Sequence, residues 1–320
     1  MWRPERRVTG PVTLAVEEIP ALNRVFAAAF TDRYRRDGLA GVRVPHLNPD
    51  VWRYAIRGAG TGALAWHDAR GELAAFNLVH RSGAEGWMGP LAVRPDLQGE
   101  GLGRAIVTAG VAMLQREGAA TIGLETMPRT LDNIGFYSRL GFRPGPLTIT
   151  LQRQARGGAH PRGPRLGALG DVDRAAALAS CRQLAASVAP GVDFTREIEL
   201  TLGLGLGDIS LRHAADGALE AFAVWHAAPL AEGRTAEDLR VLKLVARDTP
   251  AALGVLAQVE AEVASHRVRT LSVRCQTRHE ELYAALVADA WRVQWTDLRV
   301  TLAGYPETPP RGVLLSNWEI

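Results

Sequence analysis

The sequence predicts an α/β protein, more closely an α+β fold with a mixed sheet, built as two similar halves. Three observations predict this class. A strand-like run, Trp87 to Val93, leads through a glycine-rich loop into a helix-like run that ends near Glu117. Segments typical of antiparallel strands precede this unit. Related hairpin patterns recur in the first and the second half of the chain.

Length and composition favour two domains. The chain has 320 residues, of which 47% are hydrophobic, enough for two packed cores. No uninterrupted apolar run of about 18 residues appears, so we expect no membrane span. Met1 to Pro4 do not lead into a signal-like apolar segment, and the chain has only two cysteines. These features favour a cytoplasmic protein without disulfides or a cysteine-based metal site.

The charge of the chain argues against a nucleic-acid-binding protein. The formal net charge is only +3, and nearly all the positive charge is arginine. A nucleic-acid binder is expected to have a concentrated basic stripe with interleaved aromatic residues. The one dense basic stretch, Gln152 to Arg165, lies among Gly and Pro residues. We interpret it as a solvated linker.

The glycine-rich loop, Gln98 to Gly103, is the feature most indicative of function. Its three glycines leave backbone N–H groups exposed at the start of a helix, where the helix dipole also favours an anion. Gly118 is placed to end this helix. The residues that form its apolar face are Leu102, Ile106, Ala109, Met113 and Leu114. The loop therefore predicts a phosphate or pyrophosphate site.

Two other phosphate-binding motifs are excluded by their own requirements. A Walker loop needs a lysine after its last glycine, but Arg104 stands there and Lys243 is the only lysine in the chain. A dinucleotide-binding loop lies on the first strand-to-helix turn of a doubly wound unit, whereas this loop follows several strand-like segments.

The segment Leu91 to Gly103 instead resembles motif A of the GNAT acyltransferase superfamily, in which a strand runs into Q/R-x-x-G-x-G/A. A second family signature, a helix with a tyrosine before a Leu-Gly-Phe turn, is present as Phe136 to Phe142. The chain is thereby identified as a GNAT member. The resemblance implies a GNAT fold and acetyl-CoA, or another acyl-CoA, as the acyl donor.

The hairpin pattern repeats at a constant offset. His67, Gly71 and Leu73 have counterparts in His213, Gly217 and Leu219. We therefore expect tandem GNAT domains: residues 1–151, a linker 152–164, a second domain 165–303 and a tail 304–320. The second copy lacks the glutamine and most glycines after its strand, where Arg247 to Leu256 stand. Side chains there would block a pyrophosphate, so this copy is expected to be degenerate.

The resemblance also implies which residues bind the coenzyme. The backbone of Leu91, Ala92 and Val93 would pair with the pantetheine amides. Asn133 is a further expected contact. The pyrophosphate would be surrounded by Gln98, Gly99, Gly101, Leu102, Gly103 and Arg104.

Two residues are expected to carry the chemistry. Tyr137 is the predicted general acid, because acyl transfer expels a thiolate that must be protonated and a phenol is neutral at pH 7. Glu125, at the end of the strand that begins at Thr121, is the predicted base; its alternative role is a surface or loop-binding carboxylate. The equivalent position in the second half is Arg274.

The sequence thus predicts an N-acetyltransferase that transfers an acetyl group from acetyl-CoA to an amine of a small molecule or peptide, without a metal. The alternative is a non-catalytic acyl-CoA sensor. The aromatic and arginine residues of Phe30 to Arg57 either face an acceptor that bears a carboxylate or phosphate or form a surface helix. The sequence is also compatible with a homodimer. The histidines are interpreted as structural, because His67, His80, His213 and His226 occupy equivalent places in both halves.

Overall fold

The structure, a computed structural model, describes residues 8–156 and 162–316. None of the helices within these ranges is both long and apolar enough to cross a membrane. The helices are α1 (Ile19–Arg36), α2 (Pro49–Ala59), α3 (Leu102–Arg116), α4 (Leu131–Arg139), α5 (Asp171–Val188), α6 (Thr195–Gly203), α7 (Thr249–Val263) and α8 (Glu280–Ala288). The strands are β1 (Thr9–Thr13), β2 (Ala63–His67), β3 (Leu73–Ser82), β4 (Glu85–Val93), β5 (Thr121–Thr126), β6 (Phe142–Gln154), β7 (Gly207–His213), β8 (Leu219–His226), β9 (Asp238–Ala246), β10 (Thr270–Gln276), β11 (Arg292–Leu302) and β12 (Val313–Ser316).

The strands form a single mixed sheet in which the two halves exchange their last long strands. The order is β1-β2-β3-β4-β5-β11-β6-β10-β9-β8-β7, with β12 paired to β9. Strand β11 of the second half lies between β5 and β6 of the first, and β6 in turn pairs with β10. Each half therefore completes its sheet with a strand from the other.

Helices cover both faces of the sheet in each half. In the first half, α1 and α2 pack on one face around Trp52 and Phe76, while α3 and α4 pack on the other around Ile106 and Leu114. The predicted helix of the glycine-loop unit is confirmed as α3, with Ile106, Met113 and Leu114 buried. Strand β4 and helix α3 are thus held rigidly on either side of the loop that joins them.

The repeated hairpins predicted from the sequence are confirmed. Strands β2 and β3 pair antiparallel with an irregularity between Trp66 and His67, and β7 and β8 have the same irregularity between Arg212 and His213. Gly71 and Gly217 have φ of +76° and +83°, a region in which other residues are strained. The same turn chemistry therefore builds the same hairpin twice.

Local sequence favours Thr130 and Asp171 as helix caps, but neither side chain caps its helix. Thr130 stands at the start of α4, but its Oγ1 donates to Asp37 Oδ2 (2.6 Å) and does not cap the helix. Asp171 is the first residue of α5, and Gly170 holds the cap position. In the first case an acidic side chain from the end of α1 competes for the hydroxyl, a contact that local sequence does not show.

The linker interpretation is also wrong for its first residues. Residues 152–154 belong to β6, and the Arg153 side chain is only 9% exposed. Arg153 pairs with Glu260 (2.5 Å) and with Asp289, and its guanidinium lies 4.9 Å from the Trp291 ring centroid. Residues 157–161 lie outside the described residues. The first residues of the basic stretch therefore lie in a strand, and the buried Arg153 side chain connects the two halves.

Two of the repeated histidines are buried parts of the hairpins. His80 Nε2 bonds to the Gly89 carbonyl (3.0 Å), and His226 Nε2 bonds to Thr201 Oγ1 (3.0 Å). Burial, with a smaller effect of nearby cations, lowers the pKa of His80 to about 4 and that of His226 to about 3. Both rings are therefore neutral in the folded protein at pH 7.

Acid should destabilise the protein through these rings. An unfolded histidine binds a proton near pH 6.5, well above the pKa of folded His80, so stability contributed by the neutral ring is lost as pH falls from 6.5 towards 4. Between pH 7 and pH 5 we expect His80 to account for a loss of about 2 kcal/mol in the free energy of unfolding. His80→Gln keeps a donor to Gly89 but cannot titrate, so urea unfolding at the two pH values should show a smaller difference.

The matched control for this prediction is His213→Gln, the same exchange at an exposed position of the second hairpin. This variant should retain the pH dependence of the wild type. An unchanged difference between pH 7 and pH 5 in His80→Gln would contradict the assignment.

Candidate active site

Strand β4 separates from its parallel neighbour β5 halfway along its length. The two strands pair from Glu85 with Thr121 to Met88 with Leu124 and no further, whereas β4 remains paired with β3 as far as Val93. The edge of β4 from Gly89 to Val93 that faces β5 therefore carries backbone groups outside the sheet ladder. Leu91, Ala92 and Val93, predicted as coenzyme contacts, form this edge and line a cavity. An extended ligand can add to such an edge like a strand.

The glycine-rich loop continues this edge. Gly99 and Gly101 have φ of +85° and +86°, and nothing lies within 4 Å of a Cβ placed on either. Gly101 is the residue that precedes α3, so the first N–H groups of the helix point out of an uncovered loop. Gln98 Nε2 donates to the Val93 carbonyl (3.0 Å) and ties the loop to the end of β4. The arrangement is an anion cradle at the end of a free strand edge.

The edge and the loop open into one cavity of about 720 Å³. This volume is in the range of sites that bury a small ligand. The predicted residues that line it are Leu91, Ala92, Val93, Gln98, Gly99, Gly103, Glu125, Asn133 and Tyr137. Gly101, Leu102 and Arg104 lie outside its wall, and Arg104 is exposed on the first turn of α3.

Tyr137 lies on α4, with its ring packed between two phenylalanines and only 6% of the residue exposed. The ring centroids of Phe136 and Phe142 are 5.1 Å and 6.0 Å away. Burial raises the pKa of the Tyr137 hydroxyl above its ordinary value near 10, so this group is a phenol at every physiological pH. Packing fixes the ring, and Tyr137 is one of the residues that line the cavity.

Glu125 also reaches the cavity, but it is held in a buried ionic network. Its side chain is 2% exposed and accepts hydrogen bonds from Arg274 (2.7 Å), Arg299 (2.9 Å) and Thr148 (2.5 Å). Burial opposes ionisation of Glu125, yet the two guanidinium groups outweigh it and lower the pKa of the carboxyl. The group is therefore a stable carboxylate and a weaker base than an ordinary glutamate.

Both arginines that hold Glu125 come from the second half. Arg299 is opposite Glu125 in the β5–β11 pairing, and its guanidinium lies 3.9 Å from the Trp87 ring centroid. Arg299 also donates to Glu307 (2.7 Å) and to the Ser316 carbonyl (3.0 Å). The second half thus sets the charge state of the predicted base in the first.

Four lining residues of the second half were missed by sequence reasoning: Leu230, Ala231, Trp295 and Asp297. Trp295 and Asp297 arrive through the exchanged strand β11. The loop at 230–232 docks on the first half, where Asn48 N donates to the Leu230 carbonyl (2.8 Å) and Glu232 N donates to the His46 carbonyl (2.9 Å). Glu125 and Arg274 occupy equivalent positions of the two repeats and have opposite charges. This was the signal in the sequence that the halves contact each other here, and the two side chains form an ion pair in the structure.

The corresponding cleft of the second half is closed. Strand β9 separates from β10 after Val241, as β4 does from β5, but β12 fills the gap by pairing with β9 from Lys243 to Ala246. At the start of α7, Asp248 Oδ1 accepts the N–H of Ala251 (2.8 Å) and places a carboxylate where an anion would bind. In the C-terminal repeat, the strand edge and the helix start are thus both occupied by the chain itself.

The histidines contribute nothing to a metal site in the described part of the chain. Within residues 8–156 and 162–316, no three His, Cys, Asp or Glu side chains are grouped so as to hold a metal ion.

A free strand edge beside a glycine loop, with a tyrosine on the next helix, is the arrangement that the resemblance to the GNAT superfamily implies. Residues 26–142 match the model of the family described as Acetyltransferase (GNAT) family. The chain is similar to the tandem GNAT protein of the clavulanic acid biosynthesis pathway, with a TM-score of 0.61 and 14% identity over 94% of this chain and 100% of that one. Residues 26–142 therefore match the GNAT family model, and the whole chain has the tandem GNAT fold.

Two curated relatives are N-acetyltransferases. Serotonin N-acetyltransferase 2, chloroplastic, of Oryza sativa subsp. japonica is 32% identical over 133 residues, which are 41% of this chain and 60% of that protein. The [Ribosomal protein bS18]-alanine N-acetyltransferase of Escherichia coli (strain K12) is 36% identical over 72 residues, 22% of this chain and 49% of that protein. The chain thus spans 60% and 49% of the length of these relatives.

Proposed function

We propose that the N-terminal half transfers an acetyl group from acetyl-CoA to the amine of a small molecule or peptide by direct attack. The observation that carries the proposal is the continuity of the site. One cavity joins the unpaired edge of β4, the glycine cradle at α3, the Tyr137 phenol and the Glu125 carboxylate. An acyl transfer needs groups that bind the acyl donor, polarise its thioester carbonyl and protonate its leaving sulfur, and these residues can supply all three.

Binding of the acyl donor follows from two kinds of backbone group. The N–H groups of the Gly99 to Gly103 loop and of the first turn of α3 would hold the pyrophosphate. The free edge at Leu91 to Val93 would pair with the pantetheine amides and direct the thioester towards the gap between β4 and β5. The same edge offers N–H donors to the thioester carbonyl, where negative charge develops during attack.

The proposed reaction balances without any other reactant. The amine nitrogen forms a bond to the thioester carbonyl carbon, and the carbon–sulfur bond breaks. Tyr137 gives its proton to the leaving sulfur, and the proton lost by the nitrogen passes to Glu125, directly or through solvent, and returns to the phenolate. A carboxylate with a lowered pKa can act here because the attacking nitrogen becomes strongly acidic once it is bonded to the carbonyl carbon.

The test is to incubate the protein with acetyl-CoA and a mixed amine library, and to measure released thiol and acetylated product. We expect thiol release that depends on an added amine. Tight binding of acetyl-CoA by calorimetry without thiol release from any amine or peptide would instead indicate a sensor and overturn the proposal.

A further inference from the structure

Helix α4, which carries Tyr137, is weakly anchored by its own residues. All nine residues of α4 lie within the described ranges, and only Tyr137 among them is buried. Thr130, at the cap position, makes no capping bond to the helix, and Leu131 at its start is 76% exposed. Helices of this length are marginal in water without tertiary contacts. The position of α4 therefore depends on contacts made from outside the helix.

Asp37, the residue that follows α1, supplies such contacts at the start of α4. Its side chain is only 5% exposed. Asp37 Oδ2 accepts a hydrogen bond from the hydroxyl of Thr130 (2.6 Å), which is fully buried. The backbone carbonyl of Asp37 accepts a second bond, from Arg129 Nη2 (2.8 Å). The two residues directly before α4 are thus both bonded to the end of α1.

Arg33 fixes the Asp37 carboxylate from the other side. Its guanidinium donates to both carboxylate oxygens, from Nε to Oδ2 (3.1 Å) and from Nη2 to Oδ1 (2.5 Å). Its Nη1 reaches Asp132 in the first turn of α4 (3.3 Å). Two parallel bonds of this kind hold the guanidinium and the carboxylate in one orientation. We call Arg33, Asp37, Thr130 and Asp132 the α1–α4 clasp.

The clasp connects the wall of the cavity to Tyr137. Arg33 and Asp132 line the cavity, whereas Asp37 and Thr130 are not among its lining residues. Thr130 and Tyr137 are about two helical turns apart and so lie on the same face of α4. A shift of the helix start is therefore passed along the helix to the Tyr137 hydroxyl. A misplacement of about 1 Å can cost on the order of a hundredfold in rate.

We propose that Asp37 is a positioning residue for Tyr137: through Thr130 it holds the start of α4 against α1, and so keeps the phenol where the thiolate leaves. The inference rests on the proposed acetyl transfer, because it takes Tyr137 as the proton donor. It adds a residue that lies outside the cavity wall and outside both GNAT motifs.

The first measurement follows the order of α4 without any reaction. Hydrogen–deuterium exchange of the full chain, read by mass spectrometry, gives the exchange rates of amides in α4 and in α8, the equivalent helix of the second half. Asp37→Ala and Thr130→Val each leave a buried polar group without its partner. Both should raise the rate in α4 about five- to tenfold and leave α8 unchanged. Thr130→Ser keeps the hydroxyl and should keep the exchange rate of the wild type.

The second measurement connects the clasp to Tyr137. At saturating acetyl-CoA, with the best amine of the library, Asp37→Ala should lower kcat by about tenfold. In the Tyr137→Phe background the same exchange should lower kcat by less than about twofold, because the hydroxyl that it positions is already gone. The matched control is Asp171→Ala on α5, which removes an exposed aspartate paired with Arg174 (3.5 Å). This variant should change neither kcat nor the exchange rates of α4.

Equal losses of kcat from Asp37→Ala in the two backgrounds would overturn the inference, and so would unchanged exchange rates in α4. The proposed function is judged separately by thiol release. If no amine releases thiol, the acetyl transfer fails, but the exchange rates still decide whether Asp37 holds α4.

Discussion

Replacing Tyr137 by phenylalanine is expected to lower the kcat of acetyl transfer by about a hundredfold or more, while the dissociation constant for acetyl-CoA changes by less than about twofold. The substitution removes one hydroxyl and leaves the ring packed against Phe136 and Phe142, so the fold and the coenzyme cradle remain. The leaving thiolate then lacks its proton donor. Steady-state kinetics together with calorimetric titration of acetyl-CoA separate the two effects.

The matched control for Tyr137 is Tyr283, the equivalent tyrosine on α8 of the closed second half. Tyr283→Phe should retain the kcat of the wild type. Because burial raises the pKa of Tyr137, its hydroxyl keeps its proton up to pH 9. Deprotonation of Tyr137 should therefore cause no fall in the kcat of the wild type up to that pH. Equal turnover in Tyr137→Phe and wild type would remove Tyr137 from the mechanism.

Gly101→Val is expected to raise the dissociation constant for acetyl-CoA by about a hundredfold, since several charge-assisted backbone hydrogen bonds to the pyrophosphate are lost together. A β-branched residue is strained at φ of +86°, and relief of that strain would turn the N–H groups of the loop away from the cradle. Calorimetry of acetyl-CoA binding measures the change directly.

Gly118→Val controls for backbone strain alone. Gly118 follows the other end of the same helix, with φ of +73° and nothing within 4 Å of an added Cβ. Both variants should therefore lower the melting temperature to a similar extent, but only Gly101→Val should lose the coenzyme. A similar loss of coenzyme affinity in Gly118→Val would mean that helix stability, and not the loop, controls binding.

The sequence predicted what local chemistry determines. The glycine loop has its geometry because three glycines permit it, and the hairpins repeat because turn residues recur at one offset. These features depend on neighbours in the chain, so they are visible in the order of residues. The tandem GNAT fold and the position of Tyr137 on a helix were predicted from the family resemblance of the two motifs, together with this repeat.

What the sequence did not predict depends on pairing between distant strands. Nothing near Glu125 indicates that Arg299 lies opposite it, because the two residues are 174 positions apart in the chain and meet only through the exchange of β6 and β11. For the same reason Trp295 and Asp297 could not be placed at the site. The short apolar run of β12 is equally compatible with an edge of a sheet and with a partner chain, so its pairing with β9 could not be predicted either.

The exchange of β6 and β11 also limits which parts of such a chain can be lost during evolution. A repeat whose own cleft is closed could ordinarily be deleted without loss of a binding site. Here strand β11 supplies Arg299 to the predicted base and Trp295 to the cavity wall, so deletion of the second half would remove the strand that joins β5 to β6. We therefore expect the two copies to be inherited together, because the first copy depends on a strand and on cavity-lining residues that the second copy supplies.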